Sequence, residues 1–542
     1  RNNMKRLSEL DLGYGDAASY RKSRRYRNFF SEVFVRDEKL DQLMRDDSYF
    51  LIGDKGTGKT AYAVFLENNE YKNTQSQIVN MESTDYRVFS NLRKLGYLQL
   101  SDYVRTWKVI LFMLMAKFIE KQDIALFGPK RSEQFETIRK NIDNYYNNAF
   151  VPEIATSIKY VFDETCGLET GLTFNNLGLQ SDVKASINHS HKDEKAFLLF
   201  QNNLLVMERK FCSAFARLKL KKNKFIFIDS IDIRVDDFSD EEYRSCIQGL
   251  ANAIWEINTA VFRSMPESEG FLKIVLTIRT DIFPKLNLHN QANKVRDNSV
   301  MLDWRTTYED YRNSALFKFC NNLLAYKNEE LQAESYWDYY FPWYTESTNN
   351  QKRDRDDSFI NCLRLSLCRP RDFISIMKAI QKHISATEDV STLESFSCNA
   401  TQNEISNYYV DEARDWCLHT ISSEGFETIL FFFQFLNGQS KFTYDEFLSC
   451  FKKYLDQVSD KKMEPFEEIF EPDDFLQLLF DLNMICYYDR TTDGKEFFRF
   501  CYREREIYQL QPKVKTHATY GVHYSLLKAL NLGKNAHPYQ DA

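Results

Sequence analysis

The chain has 542 residues, of which 43% are apolar and 27% charged, a composition that excludes a disordered or fibrous chain and leaves room for two to four domains. Its 71 basic and 78 acidic residues give a net charge of −7, so no global basic excess advertises nucleic-acid binding. Eleven cysteines occur with no C-x-x-C pair, the nearest two being Cys362 and Cys368, which argues against a disulfide framework or a zinc site and favours a reduced cytosolic compartment.

In chain order, the first distinctive stretch is YRKSRRYRNFF, Tyr20 to Phe30. Arg21, Lys22, Arg24, Arg25 and Arg27 interleave with Tyr26. Such a stretch can contact nucleic acid, form a solvated helix face, or bind acidic residues of a neighbouring subunit.

FLIGDKGTGKTA follows, Phe50 to Ala61. Gly53, Gly58, Lys59 and Thr60 satisfy G-x-x-x-x-G-K-[ST]. The preceding SYFLI (Ser48 to Ile52) is β-prone. In the following segment Ala61, Val64 and Phe65 recur at helical spacing, and Asn68 and Asn69 end it. Strand, glycine-rich turn and helix form the context a phosphate loop requires. Gly53, Gly56 and Gly58 let the backbone curl and turn its N–H groups to phosphates. The helix N-terminus adds its positive dipole end. The expected binding residues are Gly53, Asp54, Lys55, Gly56, Thr57, Gly58, Lys59, Thr60 and Ala61. Lys59 would reach the β- and γ-phosphates, and the Thr60 hydroxyl would ligate Mg²⁺.

SQIVNME (Ser76 to Glu82) reads as the next core strand. After it the sequence holds far more residues than one helix and one strand need, so an insertion is expected at about 103–218. WKVILFMLMAKFIEK (Trp107 to Lys121) and FLLFQNNLLVMERKFCSAFARL (Phe197 to Leu218) read as its helices. GLTFNNLGLQSDVKASI (Gly171 to Ile187) alternates like a hairpin. The apolar runs beginning at Val109 and Ile429 are far below the about 18–20 residues a membrane span needs.

NKFIFIDSID (Asn223 to Asp232) is a buried parallel strand closing on Asp229, which would hold the metal opposite Thr60. The position after it, usually acidic for water activation, is Ser230. Asp232 is the candidate general base, with a simple loop or helix-start acid as the alternative. A capping box, Ser239 with Glu242, opens an amphipathic helix through Tyr243, Cys246, Ile247, Leu250, Ile254, Ile257 and Val261. FLKIVLTIRTDIF (Phe271 to Phe283) is a further buried strand, ending in Thr277, Arg279 and Asp281. If it lies beside the phosphate-loop strand, its end abuts the γ-phosphate. Arg279 is either a phosphate sensor or a partner of Asp281.

In CRPRDFISIMKAIQKH (Cys368 to His383), Pro370 opens a helix with Phe373, Ile374, Met377 and Ile380 on one face. Arg369 and Arg371 stand where the dipole disfavours cations, so something anionic is expected nearby. The last third reads as three helices, in Gly425 to Gly438, Thr443 to Gln457 and Glu471 to Ile485. A hairpin with an Asp493–Gly494 turn follows, within Cys486 to Glu504. That order is winged-helix-like. The third helix carries Glu471, Asp473, Asp474 and Asp481 and no lysine or arginine, so DNA phosphates would repel it. A lid or protein-interaction module is the better expectation.

GDKGTGKT, FIFIDSID and VLTIRTD together resemble the nucleotide site of the STAND/AAA+-like branch of P-loop ATPases. With LGYGDAASY (Leu12 to Tyr20), CRPRDFI (Cys368 to Ile374) and LLKALNLG (Leu526 to Gly533), the chain resembles a bacterial group related to KAP-type NTPases. The resemblance implies ATP and Mg²⁺ as cofactors and an arginine at the end of the sensor strand. It also implies a lid arginine reaching the nucleotide, for which Arg371 is the candidate and pairing with Asp372 or another acid the alternative. Members are often found in bacterial defence loci, which implies anti-phage or mobile-element roles.

The expected fold is therefore an α/β P-loop NTPase, a parallel sheet with flanking helices, carrying a large insertion, a helical lid and a C-terminal winged-helix-like domain. The expected divisions are 1–45, 46–310, 311–400, 401–512 and a tail at 513–542. The expected activity is an ATP-hydrolysing switch that gates a protein partner, with a homo-oligomer plausible and no membrane segment. A DNA-dependent motor and a slowly hydrolysing nucleotide-bound scaffold are the alternatives.

Overall fold

The computed structural model describes residues 4–533 except 82, 95, 97, 100–101, 146–190, 232–238, 332–334 and 348–353. The chain divides into two compact units. The first contains Glu38–Gly53 and Lys59–Leu302; the second contains the N-terminal residues to Asp37, the short segment Asp54–Gly58, and everything from Asp303 onward.

The first unit is built on a five-stranded sheet. Its strands are β1 (Phe50–Ile52), β2 (Thr74–Asn80), β3 (Asn223–Asp229), β4 (Leu272–Ile278) and β5 (Ser299–Met301). Their order is β2-β3-β4-β1-β5 and every pairing is parallel. β4 is buried along its whole length and β3 from Lys224 onward, which is why both read as unbroken apolar runs. The two lysines inside these strands are satisfied. Lys224 pairs with buried Asp123 at 2.7 Å, and Lys273 donates to the carbonyls of Leu43 and Arg45 at the end of helix Glu38–Leu43.

Helix α1 (Lys59–Asn68) packs on β2 and β4. The expected insertion contributes α2 (Tyr103–Phe118), α3 (Gly128–Tyr145) and α4 (His191–Phe215), which pack on one another. The expected hairpin at 171–187 lies outside the described residues. Helix α5 (Asp240–Glu256) starts at the predicted capping box, with Ser239 Oγ accepting from the Glu242 amide. It buries Tyr243, Cys246, Ile247, Leu250 and Ile254 against α2 and β4, and continues as a π turn at Ile257–Val261.

Gly270, just before β4, is buried and donates its amide to Leu220. A methyl group there would overlap the backbone of Lys222. Gly270→Ala is therefore expected to cost about 2 kcal/mol or more, read as a lowered urea midpoint with an unchanged m-value.

In the second unit, helix α6 (Ala315–Ala325) is followed by a two-stranded ribbon of β6 (Tyr344–Glu346) and β7 (Arg355–Asp357). Helix α7 (Pro370–Lys382) starts at Pro370 and buries Phe373, Ile374, Met377 and Ile380. The LGYGDAASY segment is tied to it: Arg371 Nε donates to Gly15 O at 3.1 Å, and Lys378 donates to Gly13 O. Gln381 Nε2 donates to the carbonyls of Leu7 and Leu10 at 2.7 and 2.8 Å. Gly13 sits at φ +65 beneath the Tyr20 hydroxyl, where no side chain fits. Helix α8 (Asn399–Cys417) packs on α7.

The last elements are α9 (Ser423–Phe431), β8 (Lys441–Thr443), α10 (Tyr444–Asp460), α11 (Pro472–Asp481), β9 (Ile485–Arg490), β10 (Glu496–Arg499) and β11 (Thr519–Val522). Three helices and then a hairpin occur in the predicted order, with Gly494 at φ +83 in the turn. The strands form one antiparallel sheet in the order β10-β9-β11-β8. The expected boundary at 512 cuts this sheet, because β11 pairs with both β9 and β8. Among the described residues no helix is long and apolar enough to cross a membrane.

Candidate functional site

The parallel register brings the ends of three strands together. Ile52 pairs with Ile278 on one side and Met301 on the other, so β1 runs between β4 and β5. β4 therefore does lie beside the strand that leads into the glycine-rich loop. β3, carrying the acid, is one strand further out. Ligands of such sheets bind outside the carboxyl ends of the strands, which is where the loop begins.

Within the first unit, Lys59 and Thr60 open α1, and Lys59 Nζ donates to Gly53 O at 2.9 Å. Thr60 Oγ1 donates to Asp229 Oδ2 at 2.8 Å, joining residues 169 apart in sequence. Asp229 is the last residue of β3 and only 4% exposed. Its other oxygen accepts from the Thr277 hydroxyl of β4. The carboxylate is thus oriented by two neighbouring hydroxyls, one of them on the helix that follows the loop. A hydroxyl and a carboxylate are the hard oxygen donors that suit Mg²⁺, so the donor set fits that ion.

Ser230, directly after the acid, has φ +60, a strained conformation for a non-glycine residue. Asp232 lies outside the described residues. Arg279 is one residue past the end of β4 and makes a bidentate pair with Asp281, at 2.9 and 2.8 Å. Of the two arrangements open in the sequence, pairing with Asp281 is the one present.

The glycines of the loop divide in role. Gly56 and Gly58 have φ +82 and +94, values that favour glycine. Gly53 needs no such freedom, and its amide is used on Ile278 O at 3.2 Å, extending the sheet. Thr57 closes a turn, its amide and hydroxyl both donating to Asp54 O, at 3.3 and 2.8 Å. Ala61 follows Thr60 in the first turn of α1.

The loop tip, Asp54–Gly58, is held within the second unit. Arg369 Nη1 donates to Lys55 O at 2.7 Å, and Trp304 Nε1 donates to Thr57 O at 2.8 Å. In a trans peptide the carbonyl and the next N–H point opposite ways. Holding these two carbonyls therefore turns the amides of Gly56 and Gly58 away from Arg369 and Trp304. Lys55 Nζ lies 2.7 Å from Asp415 and 3.5 Å from Glu412, and Asp54 pairs with Arg505 at 2.6 Å.

Arg369 is itself fixed by Asp372, with Nε and Nη2 donating to Oδ1 at 3.0 and 2.6 Å. Tyr408 OH and the Leu367 amide also donate to Asp372, at 3.0 and 2.7 Å. Burial works against the Arg369 charge, but Asp372, Tyr408 and Glu412 more than offset it and hold the guanidinium protonated well above its usual range. Burial, then the Asp372 charge, raises the Tyr408 phenol well above its usual value. Arg371, the sequence candidate for the lid arginine, instead faces Glu412 at 3.6 Å and Gly15 O. The anion that the two cations at this helix start called for is thus carboxylate of the chain itself.

Sequence reasoning missed Trp304 and Arg505. Neither belongs to a periodic pattern or a motif, and Arg505 is 451 residues from its partner Asp54. Arg369 was visible in the sequence as an unexplained cation at a helix start, without its role. Neither a scan against protein-family models nor a search of curated proteins finds a match to the chain.

Proposed function

We propose that the chain binds ATP with Mg²⁺ at the Gly53–Ala61 loop and hydrolyses it as a molecular switch gating a protein partner. The observation that carries this reading is the Thr60–Asp229 hydrogen bond, formed at the carboxyl end of a parallel sheet directly after a G-x-x-x-x-G-K-T turn. In this reading Lys59 leaves Gly53 O for the phosphates. Thr60 and Asp229 hold the ion, which supplies charge neutralisation for the phosphate oxygens. Thr277 keeps the Asp229 carboxylate oriented. Arg279 and Arg371 exchange carboxylate partners for phosphate, and Asp232 positions water. The last three helices and sheet act as a winged-helix-like module that follows the nucleotide state. The resemblance to STAND/AAA+-like, KAP-related ATPases supports a defence role, with a homo-oligomer as the working assembly.

One observation favours a second reading, a nucleotide-bound scaffold with little hydrolysis. Ser230 stands where an acid would activate water, and its backbone is strained. Steady-state phosphate release, with and without duplex DNA, separates the classes. The switch is expected to turn over ATP with less than about twofold response to DNA. Stimulation of about tenfold or more would instead establish a DNA-dependent motor.

A further inference from the structure

We propose that Arg505 is the counter-charge of the phosphate loop, so that nucleotide affinity depends on the docking of Arg505 on Asp54. This rests on the nucleotide reading above. Asp54 is the first residue after Gly53, and a carboxylate within a polyphosphate cradle repels the ligand. Arg505 Nη1 stands 2.6 Å from Asp54 Oδ2. The side chains are 3% and 14% exposed, so solvent screens the pair little.

Arg505 is held by more than this contact. It caps helix Cys501–Glu504, its amide donating to Cys501 O at 3.1 Å, and its guanidinium lies over the Trp416 ring, 5.1 Å from the centroid. The neighbouring loop cation, Lys55, is already matched by Asp415 and Glu412, so it is not available to neutralise Asp54. The counter-charge therefore comes from a segment directly after the β9–β10 hairpin. Whatever displaces that segment exposes the Asp54 charge to the phosphates and weakens binding. By linkage, bound nucleotide favours the docked segment by the same factor.

The test is a double-mutant cycle read by binding of a fluorescent ATP analogue with Mg²⁺. Arg505→Gln is expected to weaken binding about tenfold. Asp54→Asn is expected to tighten it, because the carboxylate that repels the phosphates is removed. Asp54→Asn/Arg505→Gln is expected to recover most of the loss. An unchanged affinity in Arg505→Gln, a weakened one in Asp54→Asn, or a double variant as weak as Arg505→Gln overturns the proposal. Hydrogen exchange gives a second reading that does not need the Arg505→Gln variant to fold. ATP is expected to slow exchange at residues 501–509 in the wild type, and equal exchange with and without bound ATP overturns the proposal. Lys59→Ala serves as the control. If the analogue binds it as tightly as the wild type, the nucleotide reading itself fails; if it discriminates, only the counter-charge is at stake.

Discussion

Lys59→Ala is expected to lower the proposed ATP turnover by about a hundredfold or more, with little loss of stability. Lys59 Nζ donates to Gly53 O, a partly buried bond whose loss costs about 1 kcal/mol. In the proposed site its ammonium is the charge on the first turn of α1 that would reach the phosphates, and no other cation takes its place in the G-K-T run. Asp229→Asn is expected to act in the same direction through the metal. The asparagine keeps the size and planar shape but removes the negative charge, and it accepts at one atom only, so one of the two hydroxyls that donate to the carboxylate, Thr60 or Thr277, has to turn and accept from its amide. Phosphate release and urea unfolding on the same preparations check both variants. If Lys59→Ala keeps wild-type turnover, the loop is not the hydrolytic site. If the wild type is as slow as Lys59→Ala while still binding nucleotide, the scaffold reading stands, with Ser230 as its physical reason.

The parts legible in the sequence are those where one face or one chain position imposes a pattern. β3 and β4 are buried on both faces, so each reads as an apolar run, and Asp229 is conspicuous because it ends one. Helix α5 is marked by its capping box and its stripe, α7 by Pro370. β5, β6, β7, β8 and β11 left no such mark. They are three or four residues long, and β6 is largely exposed, so neither alternation nor an apolar run develops. The pairing of β1 with both β4 and β5 is a matter of topology, which periodicity does not carry. In the loop, G-x-x-x-x-G-K-T gives the cradle but not what holds it. Arg369, Trp304 and Arg505 reach it from positions 247 to 451 residues away, and single arginines or tryptophans have no spacing to betray them.

Arg369→Ala is expected to destabilise the second unit by about 3–5 kcal/mol, while Arg371→Ala costs about 1 kcal/mol or less. The difference follows from what each leaves behind. Asp372 is fully buried, and without Arg369 its carboxylate keeps only the Tyr408 hydroxyl and the Leu367 amide. That is an uncompensated interior charge, and Lys55 O loses its donor as well. Arg371 is 25% exposed, its ion pair with Glu412 is long at 3.6 Å, and its hydrogen bond to Gly15 O is only part-buried, so water replaces these contacts at a cost of about 1 kcal/mol. The pair of variants therefore also divides the two roles the sequence left with one helix start. Arg369 holds the loop, and its variant is expected to shift the urea midpoint in the absence of nucleotide. Arg371, if it exchanges Glu412 for phosphate, is expected to leave that midpoint nearly unchanged and to lower kcat by about tenfold or more. Arg369→Lys refines the first result. It keeps the charge near Asp372 but lacks the planar fork that serves Asp372 and Lys55 O at once, so it is expected to recover only part of the lost stability. Full recovery by lysine would mean that charge alone matters there, and that the fork's grip on the loop carbonyl contributes nothing.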